Sequence, residues 1–339
     1  MKIINKLFVF ILPMLFFSSS FCFCSSHDDI GNSSEDVDRP ATDNNGGYLF
    51  AHMTRADYGK LFYSVSRDGL KWETLNNRNV ILDDYRGHPD ICQGGGNNFY
   101  MIGIQGDNAP YLTLYSTPDL VTWRRKDLDR SVFDVSHLGL QNEGYYVGAP
   151  KMFYDEDSKQ YIITWHAFSP GLSGNALWES MRTCYILTSD FETFTPAQRL
   201  FNFTGDDEDM ATIDTIIKKE GDTYYAIIKD ERWPEKCATG KTIRIATSDN
   251  LTGPYSNPGT PITPSWREAP TLVKSMDDKN WLLYVEDYRD AQYNLFKASS
   301  LTGSMWAQVE FTPPVARHGC IIKVDEKLYE GIVKAYTVK

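Results

Sequence analysis

The chain has no basic run and no basic amphipathic segment: 34 Lys and Arg stand against 45 Asp and Glu, for a formal net charge of −11. A nucleic-acid partner would lack its usual electrostatic footprint, so that class is set aside. Cysteine is sparse, and Cys92, Cys184, Cys237 and Cys320 stand singly, with no C-x-x-C pair to suggest a metal or redox centre. Buried free thiols, or at most one disulfide, are the expected state. The apolar run from Leu7 to Phe17 is too short to span a bilayer. Preceded by Lys2 and Lys6 and followed by small residues, it has the form of an export signal over residues 1–24. No segment sustains a 3.6-residue period beyond a turn or two, which excludes a helical fold.

What is present is apolar and aromatic: 42% of residues are hydrophobic and 14% aromatic, ample for a sizeable core. Residues 25–46 are acidic and nearly free of large apolar side chains, the composition of a flexible tether. Residues 47–339 are expected to form one domain. From Tyr48 onward, short aromatic and β-branched runs such as YLFAHM, NFYMIGI, QYIITWHAF and NWLLYVED are separated by Gly, Pro, Asn and Asp, so the class is all-β.

The runs recur as a unit ending in Ser or Thr, an acidic turn and an aromatic: SRDGLKW, STPDLVTW, TSDFETF, TSDNLTGPY and SSLTGSMW. Five copies spaced by about 50 to 70 residues predict five four-stranded sheets, hence a five-bladed β-propeller. A second set, HPDI, APKMFY, IDTIIK, EAPTLVK and RHGCIIKV, keeps the same rhythm and supplies the strands that line the central channel. Their starts place His88, Asp90, Asp214, Glu268 and His318 within reach of one another at one end of the axis. Strands from RHGCIIKVDEKLYEGIVKAY are expected to pair with YLFAHM and LFYSVS, closing the ring and removing two sheet edges.

Carboxylates at a channel mouth with aromatics around them suit glycosidic-bond cleavage, in which one acid protonates the leaving oxygen and a second carboxylate activates water or attacks the anomeric carbon. In order along the chain stand Ala149-Pro150, Ile213-Asp214, Lys229-Asp230-Glu231, Leu251 to Tyr255 (LTGPY), Glu268-Ala269-Pro270 and His318-Gly319. On these landmarks the chain, from about Tyr48 to its end, resembles glycoside hydrolase family 43 and the wider group of five-bladed propeller glycosidases.

The resemblance implies Glu268 as general acid, Asp214 as the residue that tunes its pKa and positions it, and His318 at the channel floor near a structural calcium or an ordered water. A lone strand-start histidine is also commonly a hydrogen-bonded structural residue. No other cofactor is implied, and the activity expected is exo-acting release of sugars, similar to arabinofuranosidases, xylosidases and galactosidases, from plant or host oligosaccharides or polysaccharides, by a monomer.

The chain departs from the family where its general base, the Asp of Asp-Pro-x-Ile, is expected: here the position is His88, in GHPDI. Asp90 has the same strand parity but lies about 6.6 Å further along, a displacement comparable with the roughly 6.5–9.5 Å separation an inverting site needs. Three outcomes stay open: His88 as base, Asp90 reaching in from a rebuilt strand start, or loss of the usual hydrolytic route, leaving a carbohydrate-binding surface protein. Arg86, Arg267 and Arg317 lie near landmarks as structural pairs or as clamps on sugar hydroxyls or an acidic sugar. Trp165, His166, Trp178, Trp233 and Trp266 are candidate sugar platforms.

Cys22 and Cys24, following the apolar run and preceding Ser and Asp, resemble a bacterial lipoprotein signal with Cys24 or Cys22 lipidated, which would place the protein in the periplasm or at the outer-membrane surface. Cleavage there by an ordinary signal peptidase is the alternative.

Overall fold

The computed structural model describes residues 46–105, 109–141 and 147–337. The expected export signal, Cys22, Cys24 and the tether as far as residue 45 lie outside the described residues. Among the described residues no helix is long and apolar enough to cross a membrane.

Five antiparallel sheets follow one another around an axis as a five-bladed propeller. Blade I combines Arg317–Val324 with Gly47–Met53, Phe62–Ser66 and Glu73–Thr74. Blade II contains Cys92–Gln93, Phe99–Gly103, Tyr111–Thr117 and Arg124–Asp129. Blade III contains Gly148–Asp155, Gln160–Ala167, Arg182–Thr188 and Gln198–Arg199. Blade IV contains Thr212–Glu220, Thr223–Asp230 and Ile243–Ser248, and blade V contains Arg267–Lys274, Trp281–Asp287, Gln292–Ala298 and Ala307–Val309.

The inner strands of each blade read as nearly continuous apolar runs because both of their faces are buried, so the period of two separates one neighbouring blade from the other rather than core from solvent. Leu49 and Ala51 pack toward blade II, whereas Tyr48 and Phe50 pack toward blade V. Ile216 and Ile227 face blade V, and their neighbours Ile217 and Ile228 face blade III. Each such side chain contributes about 1.5–3 kcal/mol on burial.

The repeated Ser/Thr–acidic turns are structural. Asp119 accepts the Val121 and Thr122 amides at 2.9 and 2.7 Å, and Asp190 accepts those of Glu192 and Thr193, both at 2.8 Å. Each carboxylate thus supplies the partners that a tight turn leaves unpaired.

Three expectations are corrected. Ring closure uses a single C-terminal strand: Arg317–Val324 pairs antiparallel with Gly47–Met53, which in turn pairs with Phe62–Ser66. The residues beyond it, Glu326–Tyr336, form an α-helix whose cap is Asp325, accepting the Leu328 amide at 2.8 Å. Leu328, Tyr329, Ile332, Val333 and Tyr336 form its apolar stripe against blades I and II.

Blade IV has three strands. After Ser248 the chain still bonds alongside, Ser256 to Thr247, Gly259 to Ile245 and Ile262 to Ile243. Pro254, Pro258, Pro261 and Pro264 remove donors from that segment, so it forms no regular ladder. In blade II, HPDI precedes the ladder rather than forming it. Pro89 has no donor, the Ile91 amide donates to Cys320 Sγ at 2.8 Å, and strand pairing begins at Cys92. Cys92, Cys184 and Cys320 are buried free thiols and Cys237 is a half-buried one.

Candidate active site

Four of the five channel-lining strands begin with the same device. Opposite Trp165, Ile228, Val285 and the His52–Met53 step, the inner strand carries one extra residue, a β-bulge. The bulge residues Ala149, Asp214, Ala269 and His318 all have positive φ, 42°, 51°, 48° and 28°. Non-glycine residues reach that region at a cost of about 1–3 kcal/mol each. The bulge re-aims the side chains at the axial end of each strand.

Glu268 is the hub of what results. Its carboxylate accepts from Lys229 Nζ at 2.8 Å and lies 3.2 Å from His318 Nε2, with Arg317 Nη2 at 3.8 Å. Burial alone would raise its pKa, but the Lys229 ammonium, and after it His318, outweigh that effect and hold the carboxyl well below the usual range. His318 responds in the opposite direction: burial lowers its pKa, and the hydrogen bond to Glu268 more than restores it, so its pKa is raised.

Asp214 joins through the backbone, its Oδ2 accepting the Ala269 amide at 3.1 Å, next to Glu268. His88 stacks on His318, centroids 4.5 Å apart and planes 18° from parallel, and its Nε2 lies 2.8 Å from the Tyr58 hydroxyl. Burial, then the positive charge of His318, push the His88 pKa well below its usual value. His166 also borders the axis, its pKa lowered by burial against the opposing charges of Asp214 and Glu231.

Five further contributors have no site role in the sequence analysis: Lys229 and Glu231, which stand there only as a landmark, and Lys241, Glu286 and Tyr58. Lys229, 2% exposed, also pairs with Glu231 at 2.7 Å, and Glu231 pairs with Lys241 at 2.5 Å. Glu286, opposite Glu268 in the ladder, is fully buried and accepts the His318 amide at 3.0 Å. Its pKa is raised by burial, against the countering charge of His318. The KDE run at 229–231 and the strand-end acid of YVED were the available signals, since both lie at the strand ends that meet the bulges.

Several expected members are elsewhere. Asp90 does not enter the site: its Oδ2 accepts the Met152 amide at 2.9 Å and its Oδ1 lies 3.7 Å from buried Lys151, so it ties blade II to blade III. Trp165 is a core residue, 2% exposed and edge-on to Phe133 at 5.2 Å, and cannot be a sugar platform. Arg267 pairs with Asp287 at 2.7 Å and not with Glu268. Arg86 donates to the carbonyls of Asp83 and Tyr85 in its own loop. Trp178 is exposed on the short helix Gly174–Glu179.

Arg317 does belong, 3.4 Å from Glu286 and 5.6 Å from the Tyr58 ring centre. Trp266 does too, in an edge-on series Trp233–Trp266–Tyr288 with centroids 6.1 and 6.0 Å apart, ending where Lys229 Nζ lies 4.7 Å from the Tyr288 ring.

Glu268, Glu286 and His318 offer ligand atoms within 4.8 Å of one another. Calcium asks for six to eight oxygen ligands, whereas here Lys229 and Arg317 already compensate the two carboxylates and His318 is drawn toward its protonated form. Among the described residues this donor set does not fit calcium.

Among solved structures, the chain is similar to an exo-β-1,3-galactanase from Phanerochaete chrysosporium, with 19% identity over 68% of this chain and 51% of that one and a TM-score of 0.47. It is similar to the catalytic domain of a Coprinopsis cinerea family 62 α-L-arabinofuranosidase, with 12% identity over 80% and 77% and a TM-score of 0.49. A xylan β-1,4-xylosidase from Bacillus halodurans shows 13% identity over 84% and 54% and a TM-score of 0.47. The chain spans about half the length of the first of these. A comparison with curated proteins gives no match. Residues 43–330 match the family described as a probable glycosyl hydrolase domain, related to glycoside hydrolase family 43. That match covers nearly all of the propeller, and the chain belongs to this family.

Proposed function

We propose that the protein is an exported glycoside hydrolase that removes sugars from the ends of plant or host glycan side chains, with a proton shared between Glu268 and His318 and with His88 as the base. The observation that carries this reading is the contiguous series Lys229–Glu268–His318–His88 at the axis, where Glu268 and His318 stand at bulged strand starts. In the resting pair the proton sits on His318 and Glu268 is ionised. Its transfer across the 3.2 Å contact makes Glu268 the neutral acid. Glu268 then gives that proton to the glycosidic oxygen as the carbon–oxygen bond breaks and its electron pair passes to the leaving oxygen.

His88, neutral because its pKa is depressed, takes a proton from the water whose oxygen bonds to the anomeric carbon. Return of that proton to the Glu268–His318 pair resets the site. Asp214 acts as a positioning residue, fixing the backbone beside Glu268. Lys229 supplies the positive charge, so no step is routed through a metal. An anchor at Cys24 or Cys22 would hold the enzyme at a bacterial surface.

Product analysis on aryl glycosides of arabinofuranose, xylose and galactose tests the reading. Wild type should release sugar, and Glu268→Gln and Asp214→Asn should not. Full activity in both variants would overturn it. The ion pair between Lys229 and Glu268 favours a second reading, a propeller that binds glycans without cleaving them. Calorimetric binding of an oligosaccharide with no product between pH 4 and 8 would establish that one instead.

A further inference from the structure

Beside the axial site, on the same end of the propeller, lies a cleft of about 880 Å³ between the blade III segment around Glu179–Arg182 and the blade IV loop that follows Asp230. The two ends correspond because Arg182 begins the third strand of blade III where Thr183 Oγ1 meets Thr212 Oγ1 at 2.9 Å, two residues from Asp214. The cleft is not isolated from Glu268. Trp233 lines it and touches Trp266, which touches Tyr288, which lies against the Lys229 ammonium that holds Glu268. An aromatic path therefore runs from the acid to the cleft.

The cleft wall has the chemistry of a polyhydroxylated ligand site. Asp206, Asp209 and Lys236 present exposed polar heads around it, and Arg232 is fixed to Asp207 and Asp230 at 2.8 and 2.7 Å. Arg182 differs from these. Its guanidinium donates through Nη1 to the carbonyls of Glu179 and Met181 at 3.1 and 2.9 Å, and among the described residues it makes no ion pair. It also lines a second cavity of about 450 Å³, together with Arg199 and Asp209. Burial, and after it the positive charge of Arg199, lower its pKa against the countering charge of Asp209, and a hydroxyl-rich ligand would add acceptors beyond the two carbonyls. At this size the cleft falls within the range of roughly 300–1,000 Å³ that holds a drug-sized ligand, too large for one sugar ring alone.

We propose that this cleft binds the leaving-group side of the substrate, a glycan chain of two or more residues beyond the sugar held at the axis, with Trp233 as stacking platform and Arg182 as hydroxyl clamp. The direction of the chain rests on the hydrolase reading, and the existence of the subsite does not. Full-length Glu268→Gln would be titrated calorimetrically with xylotriose, α-1,5-arabinotriose and β-1,3-galactotriose and with the three monosaccharides.

At least one trisaccharide should bind tenfold or more tightly than its monosaccharide. Trp233→Ala and Arg182→Gln should each remove about tenfold of that affinity while leaving monosaccharide binding in place. Should either variant melt early, Lys236→Ala and Asp209→Asn, both at exposed positions, take its place with an expected threefold loss. No trisaccharide binding more tightly than its monosaccharide, or an advantage untouched by every cleft substitution, overturns the subsite. Tight trisaccharide binding by a wild type that yields no product overturns the hydrolase reading alone.

Discussion

Blades II and V meet the axis in different ways. Blade V enters through a bulge: Ala269 at φ 48° and the extra residue opposite Val285 bring the Glu268 carboxylate beside Lys229 and His318. Blade II enters without one, its chain running Gly87-His88-Pro89-Asp90-Ile91 ahead of a ladder only two residues long. Its acid is displaced and bonds blade III, and an imidazole occupies the position at the axis. A carboxylate at a strand start becomes chemical only when the local backbone aims it at the axis, and otherwise it serves as a staple between blades.

The strongest way to break this comparison is to remove the blade V acid. Glu268→Gln keeps the shape and the acceptor for Lys229 but cannot donate a proton, and sugar release should fall by on the order of 10³-fold. An Asp90→Asn variant falling as far would erase the distinction between the blades.

A smaller effect is expected at His88. His88→Ala should cost about 10²-fold, and His88→Asp, which supplies the carboxylate that the resemblance implies at this position, should recover part of it. The pH dependence has a definite sign. The folded-state pKa of His88 lies below its usual 6.5, so the unfolded chain binds the extra proton first. Stability should fall as pH drops below about 6.5, whereas activity should hold until the pH approaches the lower, folded-state pKa of His88. His88→Gln should flatten that stability slope in urea titrations at pH 5 and 7.

Much of the fold was legible because its physics is local and repeated. Alternating apolar runs, the Ser/Thr–acidic turns and the ordered strand starts all follow from a period of two and a rhythm of five. The C-terminal helix carries its own signal, the spacing of Leu328, Tyr329, Ile332, Val333 and Tyr336 after Asp325, but so close behind a strand that short apolar pattern also suits continued β-structure. The site was half legible. Glu268, Asp214, His318 and His88 sit in strand-start motifs, whereas Glu286 stands at the end of a second strand outside any motif, Lys229 and Glu231 stand at another such end in a motif that carries no sign of their role, and Tyr58 lies in a blade I loop. Their convergence depends on how neighbouring blades pack. Trp165 was misplaced for a related reason: in a propeller both faces of a strand are buried, so an aromatic near a strand end need not face the mouth.

Lys229 sharpens the comparison further: each acid faces a buried ammonium of the neighbouring blade, Glu268 that of Lys229 at 2.8 Å and Asp90 that of Lys151 at 3.7 Å, but only the first pair lies beside His318. Lys229→Met leaves Glu268 and Glu231 buried without that charge and should cost about 3–5 kcal/mol of stability. It should also release the Glu268 pKa upward, because burial then dominates. The alkaline limb of the pH–rate profile would move to higher pH in the folded fraction, while the maximal rate changes little.

The smallest effect on turnover belongs to Asp90. Asn at this position retains an oxygen that can accept the Met152 amide but loses the charge 3.7 Å from Lys151, a buried ammonium, so unfolding should become easier by about 1–3 kcal/mol. Sugar release per folded molecule should stay within about threefold of wild type, because neither oxygen of Asp90 points to Glu268 or His318. Denaturant unfolding and single-turnover product release on the same preparation separate the two quantities. A stability loss with intact turnover marks Asp90 as the staple between blades II and III. Turnover lost by 10²-fold with stability intact would make it the base and return His88 to a structural role, stacked on His318 and bonded to Tyr58.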